Sequence, residues 1–133
     1  MLARLIGEDV NLKIDLGEKV SPIVADPGQF EQIIINLVVN AADAIKDQPL
    51  ASGRNITIST SEELLDSDYA INCAGCNPGW YLLFEITDNG CGISKEVQEH
   101  VFEPFYTTKD VGKGTCLGLS TVYGIVSGHH AEV

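Results

Sequence analysis

Six polar side chains, Gln29, Gln32, Asn36, Asn40, Asp43 and Asp47, recur at helical spacing through an otherwise apolar stretch. At about 100° per residue they fall in one narrow sector of a helix. Phe30, Ile33, Ile34, Ile35, Leu37, Val38, Val39, Ala41, Ala42 and Ile45 cover the rest of its circumference, so the helix is largely buried and its polar line needs partners. Two uses are open, a solvent-facing stripe or a ligand floor. Asparagine is a middling helix former, and long charged residues would serve solubility better than Asn36 and Asn40 do. An amide oxygen is, by contrast, a hard ligand suited to Mg²⁺, a cation that keeps several waters and draws on phosphates for the rest of its shell. The stripe can form the floor of a nucleotide site.

Two further segments carry complementary chemistry. Asp88-Asn-Gly-Cys-Gly-Ile93 places a carboxylate at a strand end, followed by Gly90 and Gly92, which permit a tight turn and close approach of a flat ligand. The same letters also spell an ordinary turn in which the aspartate only caps. Gly112-Lys-Gly-Thr-Cys-Leu-Gly-Leu119 leads into a helix whose first amides and positive end can hold phosphates. It lacks the Gly-Lys-Ser/Thr ending of a P-loop. Lys109 and Lys113 either touch phosphates or are solvated loop lysines. Cys73-Ala-Gly-Cys76 has metal-ligand spacing, but no second pair or nearby histidine completes a tetrahedral set, so an inert loop pair is expected.

These residues must be positioned by a small set of elements. Residues 11–16 alternate with Leu12, Ile14 and Leu16 on one face, the mark of a half-buried strand, and a short extended piece is expected near 23–25. Asp26 as cap and Pro27 at the first helical position start a helix that runs to Lys46 or Asp47. Residues 55–60 alternate again, with Ile56 and Ile58 inward. Residues 61–79, acidic and then rich in Cys, Gly and Pro, fit a variable loop. Tyr81 to Thr87 is dense in apolar side chains and is expected to be a central strand. Ser94 caps a short helical turn to His100, residues 102–116 form a mobile loop without sustained period, and Leu117 to Ser127 is helical, ended by Gly128. Ala131 to Val133 is read as the start of another strand.

Composition narrows the function classes. The chain has 133 residues, with 8 Lys+Arg against 19 Asp+Glu, giving 8 − 19 = −11. That length suits one domain, and 44% hydrophobic residues suffice for an ordinary core. The few basic residues are spread thinly from Arg4 to Lys113, which excludes the cationic face that nucleic acid or anionic lipid requires. The longest charge-free run, 70–84, contains Asn, Gly and Pro, and a bilayer span needs about 20 mostly apolar residues. No signal peptide is read at the start, so a cytoplasmic location is expected.

The order of the motifs adds a resemblance. Glu31-Gln-Ile-Ile-Ile-Asn-Leu-Val-Val-Asn-Ala-Ala-Asp-Ala44, Asp88-Asn-Gly-Cys-Gly-Ile93, Phe102-Glu-Pro-Phe-Tyr-Thr-Thr-Lys109 and Gly112-Lys-Gly-Thr-Cys-Leu-Gly-Leu-Ser-Thr-Val-Tyr-Gly124 occur in sequence. They resemble the asparagine, first glycine, phenylalanine and second glycine boxes of the catalytic and ATP-binding domain of sensor histidine kinases, the nitrogen-sensor and hybrid branch most of all. The resemblance implies the Bergerat ATP-binding fold, a two-layer α/β (α+β) sandwich with a mixed sheet under three helices. It further implies binding of Mg-ATP and transfer of the γ-phosphoryl to a histidine on a separate dimerisation domain, with a response regulator receiver downstream. Asn36 and Lys109 are then the catalytic candidates and Asn40 the Mg²⁺ ligand. The nucleotide pocket takes Asn36, Asn40, Asp43, Asp88, Gly90, Gly92, Ile93, Phe105, Gly112, Lys113, Gly114, Thr115, Leu117, Gly118 and Leu119. Asp88 resembles the acceptor for the exocyclic amine of adenine, and Phe102 and Phe105 the anchors of an ATP lid spanning 102–116.

Several positions depart from that pattern. Cys116 stands where the family usually has glycine, Asp43 where many relatives carry a basic residue, and His129-His130 in place of a glycine next to Gly128. Asn36 stands where related ATP-hydrolysing families place a water-activating glutamate, which favours transfer over hydrolysis. None of His100, His129 and His130 sits in a phosphoacceptor context, so the acceptor is expected on another segment. The chain stops at Val133 before the last strands of the family pattern, so the C-terminal strands are expected to be truncated. A non-catalytic nucleotide-binding module and a serine kinase of the same fold are the alternatives.

Overall fold

Asp26 starts the element on which the rest is assembled. Its carboxylate Oδ1 accepts from the backbone N–H groups of Gly28 (2.8 Å) and Gln29 (3.0 Å), and Pro27 occupies the first helical position, as the sequence predicts. The helix that follows, Pro27–Ile45, is α2; the computed structural model describes residues 2–72, 76–104, 106 and 118–128. Before it come α1 (Leu2–Ile6) and β1 (Val10–Leu16), and after it β2 (Arg54–Leu65), α3 (Ser67–Asn72), β3 (Gly79–Asp88), α4 (Lys95–Gln98) and α5 (Gly118–Gly128). Among the described residues no helix is long and apolar enough to cross a membrane.

The three strands form one mixed sheet in the order β1-β2-β3. β1 runs parallel to β2, with Ile14 opposite Ile58, and β2 runs antiparallel to β3, with Ile58 opposite Ile86. Helix α2 covers one face. Val38, Ala41 and Ile45 from α2 meet Ile56 and Ile58 from β2 and Ile6 from α1, while Phe84 and Ile86 of β3 pack against this cluster. Val38, Ile45 and Ile56 are fully buried, and each such side chain contributes about 1.5–3 kcal/mol. Toward the other end of α2, Phe30 meets the Phe84 ring edge-on, with centroids 5.4 Å apart. Helix α5 packs against α2 through the buried Val122. This is the α/β architecture expected, a mixed sheet with helices on it.

Four local expectations are corrected. Residues 61–65 belong to β2 rather than to a loop, because they continue the ladder to β3 from Ser61 opposite Leu83 to Leu65 opposite Gly79. Backbone pairing carries the strand through its acidic residues, and Glu62 also accepts from the Ser21 N–H at 2.7 Å. Within the same stretch Asp66 Oδ1 caps the start of α3 by accepting from Tyr69 N–H. Second, β3 is an edge of the sheet among the described residues, its apolar side chains covered from one face by α2 rather than flanked by two strands. Third, Ile14 and Leu16 are 57% and 63% exposed, because α2 lies over β2 and β3 and only Val10 and Leu12 of β1 reach the core. Fourth, residues 23–25 form no strand, and Val24 is fully exposed. The strand read at 131–133 lies outside the described residues.

Candidate functional site

The polar stripe of α2 divides into engaged and open groups. Gln32 Nε2 donates to Asn36 Oδ1 (3.0 Å), and Asn36 Nδ2 donates to the carbonyl of Gly118, the first residue of α5 (3.3 Å). Both ends of the Asn36 amide are thus engaged, and the bond to Gly118 ties the start of α5 to α2 across 82 residues of sequence. One turn later Asn40 is half-buried, and its side chain makes no hydrogen bond to another described residue. No buried polar side-chain atom in the described structure lacks a partner. Asp43 is half-buried beside it on the same stripe. A hard amide oxygen with a carboxylate one turn away suits Mg²⁺, which takes few protein ligands and keeps waters. Among the described residues no cluster of three or more His, Cys, Asp or Glu offers a metal a dedicated cage.

At the C-terminal end of α2 the second segment closes in. Asp88 ends β3, and its Oδ1 accepts from Gly90 N–H at 2.8 Å, leaving Oδ2 without a hydrogen bond among the described residues. Gly90 is glycine for want of space. A Cβ there would lie 2.7 Å from the Ala44 carbonyl oxygen and 2.8 Å from its carbon, so the loop rests directly on the backbone of α2. Gly92 is glycine for conformation, with φ at +72°. The close approach expected of these two residues is therefore first an approach to the helix, and it puts Asp88 and the Asn40 stripe on one supporting element. Ile93, next in the loop, is 51% exposed.

Two residues that no sequence pattern singled out hold this end in place. Arg54, its side chain only 19% exposed, donates from Nη2 to the Lys46 carbonyl (2.6 Å) and from Nε and Nη2 to the Gln48 carbonyl, and pairs through Nη1 with Asp9 at 2.6 Å. A cation thereby satisfies carbonyls at the C-terminal end of α2, whose own last turn contains no basic residue. Asn89 Oδ1 accepts from Asn55 N–H (2.9 Å) and its Nδ2 donates to the Gly53 carbonyl (3.0 Å). These partners lie 34 and 36 residues away, beyond any local spacing rule.

Beyond β3, Ser94 caps α4 as expected, accepting from Val97 N–H. Phe102 stacks on Tyr123 of α5 with ring centroids 5.2 Å apart, so the start of the predicted lid is anchored to the helix that follows it. His100 pairs with Glu103 at 2.7 Å and lies against the Tyr106 ring. Gly118 is buried and Leu119 half-buried at the start of α5. Phe105, Lys109, Gly112, Lys113, Gly114, Thr115, Cys116 and Leu117 lie outside the described residues, as do Cys73, His129 and His130.

Residues 25–133 match the family described as histidine kinase-, DNA gyrase B- and HSP90-like ATPases. The chain is 47% identical over 126 residues to the sensor kinase CckA of Brucella abortus (strain 2308), covering 95% of this chain and 13% of that protein. It is 35% identical to the signal transduction histidine-protein kinase AtoS of Escherichia coli (strain K12), over 90% of this chain and 16% of that one. It is also 35% identical to the sensory histidine kinase/phosphatase NtrB of Rhizobium meliloti (strain 1021), over 81% and 27%. The chain thus spans well under a third of the length of these relatives. The solved structure of the mycobacterial sensor histidine kinase MprB shares the fold, with a TM-score of 0.66 and 22% identity over 96% of this chain and 69% of that one. The sheet, the helix that covers it and the ordered motifs at 36–43 and 88–93 agree with the match over 25–133: the chain belongs to the histidine kinase-, DNA gyrase B- and HSP90-like ATPase family.

Proposed function

We propose that this chain binds Mg-ATP along α2 and presents its γ-phosphoryl group to a histidine carried on a separate phosphoacceptor segment, as the kinase module of a two-component signalling protein. The observation that carries the reading is Asn40, half-buried and with no side-chain hydrogen bond to another described residue, on the helix that also supports the Asp88 loop. Mg²⁺, when bound, neutralises charge on the β- and γ-phosphates. Asn40 would hold it through the amide oxygen, with Asp43 beside the site.

The chain's own groups account for the rest. Asp88 Oδ2 accepts from an exocyclic amine, which adenine has and guanine lacks at that position, while Gly90 N–H holds Oδ1 and so fixes the carboxylate plane. Asn36 holds the start of α5, and the positive N-terminal end of a helix suits phosphates. Lys109 and Lys113 are assigned to the phosphates by resemblance. With a net charge of −11 the protein attracts ATP by no long-range field, so the triphosphate is neutralised locally. In the transfer itself a nitrogen of the acceptor imidazole forms the N–P bond, the bond between Pγ and the bridging oxygen breaks, and ADP leaves with that electron pair. Catalysis is positioning and charge neutralisation.

The test is incubation of the chain with ATP labelled at the γ-phosphate and a separately produced histidine-bearing helical hairpin domain from the same protein. The proposal predicts acid-labile label on the hairpin. Acid-stable label would assign the chain to serine phosphorylation, and no label, with ATP binding intact, to a nucleotide-binding module without transfer.

A further inference from the structure

The last backbone pair of the β2–β3 ladder joins Ile56 to Asp88. Continued by one step, the ladder would set Asn55 opposite Asn89. The chain does not continue it: Gly90 is already seated on the Ala44 carbonyl of α2, so the backbone has left the sheet. The side chain of Asn89 takes over the missing step. Its Oδ1 accepts from Asn55 N–H at 2.9 Å as a strand carbonyl would, and its Nδ2 donates to the Gly53 carbonyl at 3.0 Å as a strand N–H would. A side-chain amide copies a peptide group, and asparagine is the shortest residue with both functions; aspartate lacks the donor, alanine lacks both, and glutamine is one methylene too long. The residues so gripped flank Arg54, which holds the carbonyls of Lys46 and Gln48 at the end of α2.

From this geometry we propose that Asn89 is a positioning residue for base recognition. It lets the chain turn off the sheet immediately after Asp88 while keeping Asp88 in strand register, and so sets the carboxylate relative to α2. Asn89 itself is exposed and touches no nucleotide in this account. The inference rests on the reading of Asp88 as the adenine acceptor.

Calorimetric titration of the 133-residue chain with Mg-ATP and with Mg-GTP separates the two claims. For Asn89→Ala the ATP affinity falls about tenfold, the equivalent of one to two hydrogen bonds, while the weaker GTP affinity stays where it was, so the preference for ATP shrinks by the same factor. Asn89→Asp keeps the acceptor for Asn55 N–H and loses only the donor, and its preference lies between those of the wild type and Asn89→Ala. A merely structural role would lower both nucleotides together. Equal losses for ATP and GTP, or no change in either, overturn the role of Asn89 and leave Asp88 untouched. A wild-type chain that shows no preference for ATP overturns the Asp88 assignment and this inference with it. If Asn89→Ala does not fold by circular dichroism, Asn89→Asp decides: reduced preference supports the proposal and wild-type preference overturns it.

Discussion

The C-terminal end of α2 and its middle are built differently. At its C-terminal end, Arg54, Asn89 and Gly90 lock helix, sheet and loop together through hydrogen bonds of 2.6 to 3.2 Å and through a backbone contact with no room for a methyl group. At its middle, Asn36 Nδ2 donates to the carbonyl of Gly118 at the start of α5 over 3.3 Å, and α5 packs on α2 with Val122 buried. The contrast suits a nucleotide. A base is recognised by shape and fixed donors, which rewards a rigid frame, whereas a γ-phosphoryl must be handed on and replaced. One helix serves both, its C-terminal end fixed to the sheet and the Asp88 loop and its middle joined to the start of α5.

The largest effect that sharpens this comparison is at Asn40, between the Gly118 tether and the fixed end. Asn40→Ala should weaken Mg-ATP by at least the roughly 10- to 100-fold that losing an outer-sphere partner costs a metal site, and should flatten the dependence of affinity on magnesium. Titration with and without Mg²⁺ checks it, and wild-type affinity would refute the metal assignment. At the fixed end, Gly90→Ala should cost about 1–3 kcal/mol of stability, because a methyl group must displace the Ala44 carbonyl or move the loop. Its thermal midpoint drops by several degrees and its ATP preference declines with it. An unchanged midpoint would show that the loop is not seated on the helix.

Arg54→Met keeps the apolar stem and removes the guanidinium from the Lys46 and Gln48 carbonyls and from Asp9. About 1–2 kcal/mol of stability should be lost, read by urea unfolding, with magnesium dependence of ATP binding retained. Were the magnesium dependence lost as well, the helix end and Asn40 would not be separable. The smallest effect lies away from both. Hydrogen bonds from Ser21, from its hydroxyl first and its backbone N–H second, hold the Glu62 carboxyl below its ordinary value of 4.5. Its contribution is present above that ordinary value and is lost as pH falls through the lowered folded value. Glu62→Gln should therefore reduce the acid-side slope of stability below about 4.5 and leave nucleotide binding at neutral pH alone.

What the sequence made legible follows the range of the interactions. Asp26-Pro27 announces the start of α2 because capping is local, and the stripe from Gln29 to Asp43 announces its two faces because a helix repeats every turn, while Asp47 falls beyond the helix end. Ser94 before α4 is legible for the same reason. The resemblance supplied the fold, which the match over residues 25–133 and the likeness to MprB support. The grip of Asn89 on Gly53 and Asn55, and of Arg54 on the helix end, is not legible, because no period connects residues in different elements. Gly90 was legible as a glycine but not for its reason, since the atom it must avoid belongs to Ala44. The strand through Glu62 and Glu63 was missed because its composition reads as a loop while its pairing with β3 decides otherwise.

A crystal structure of the chain with Mg²⁺ and a non-hydrolysable ATP analogue tests the central claim most directly. The account predicts Asn40 Oδ1 within coordination distance of the cation, the phosphates between α2 and the start of α5, and Asp88 Oδ2 at the exocyclic amine of adenine. A nucleotide bound elsewhere, with the Asn40 amide turned to a protein partner and no cation beside it, would contradict it.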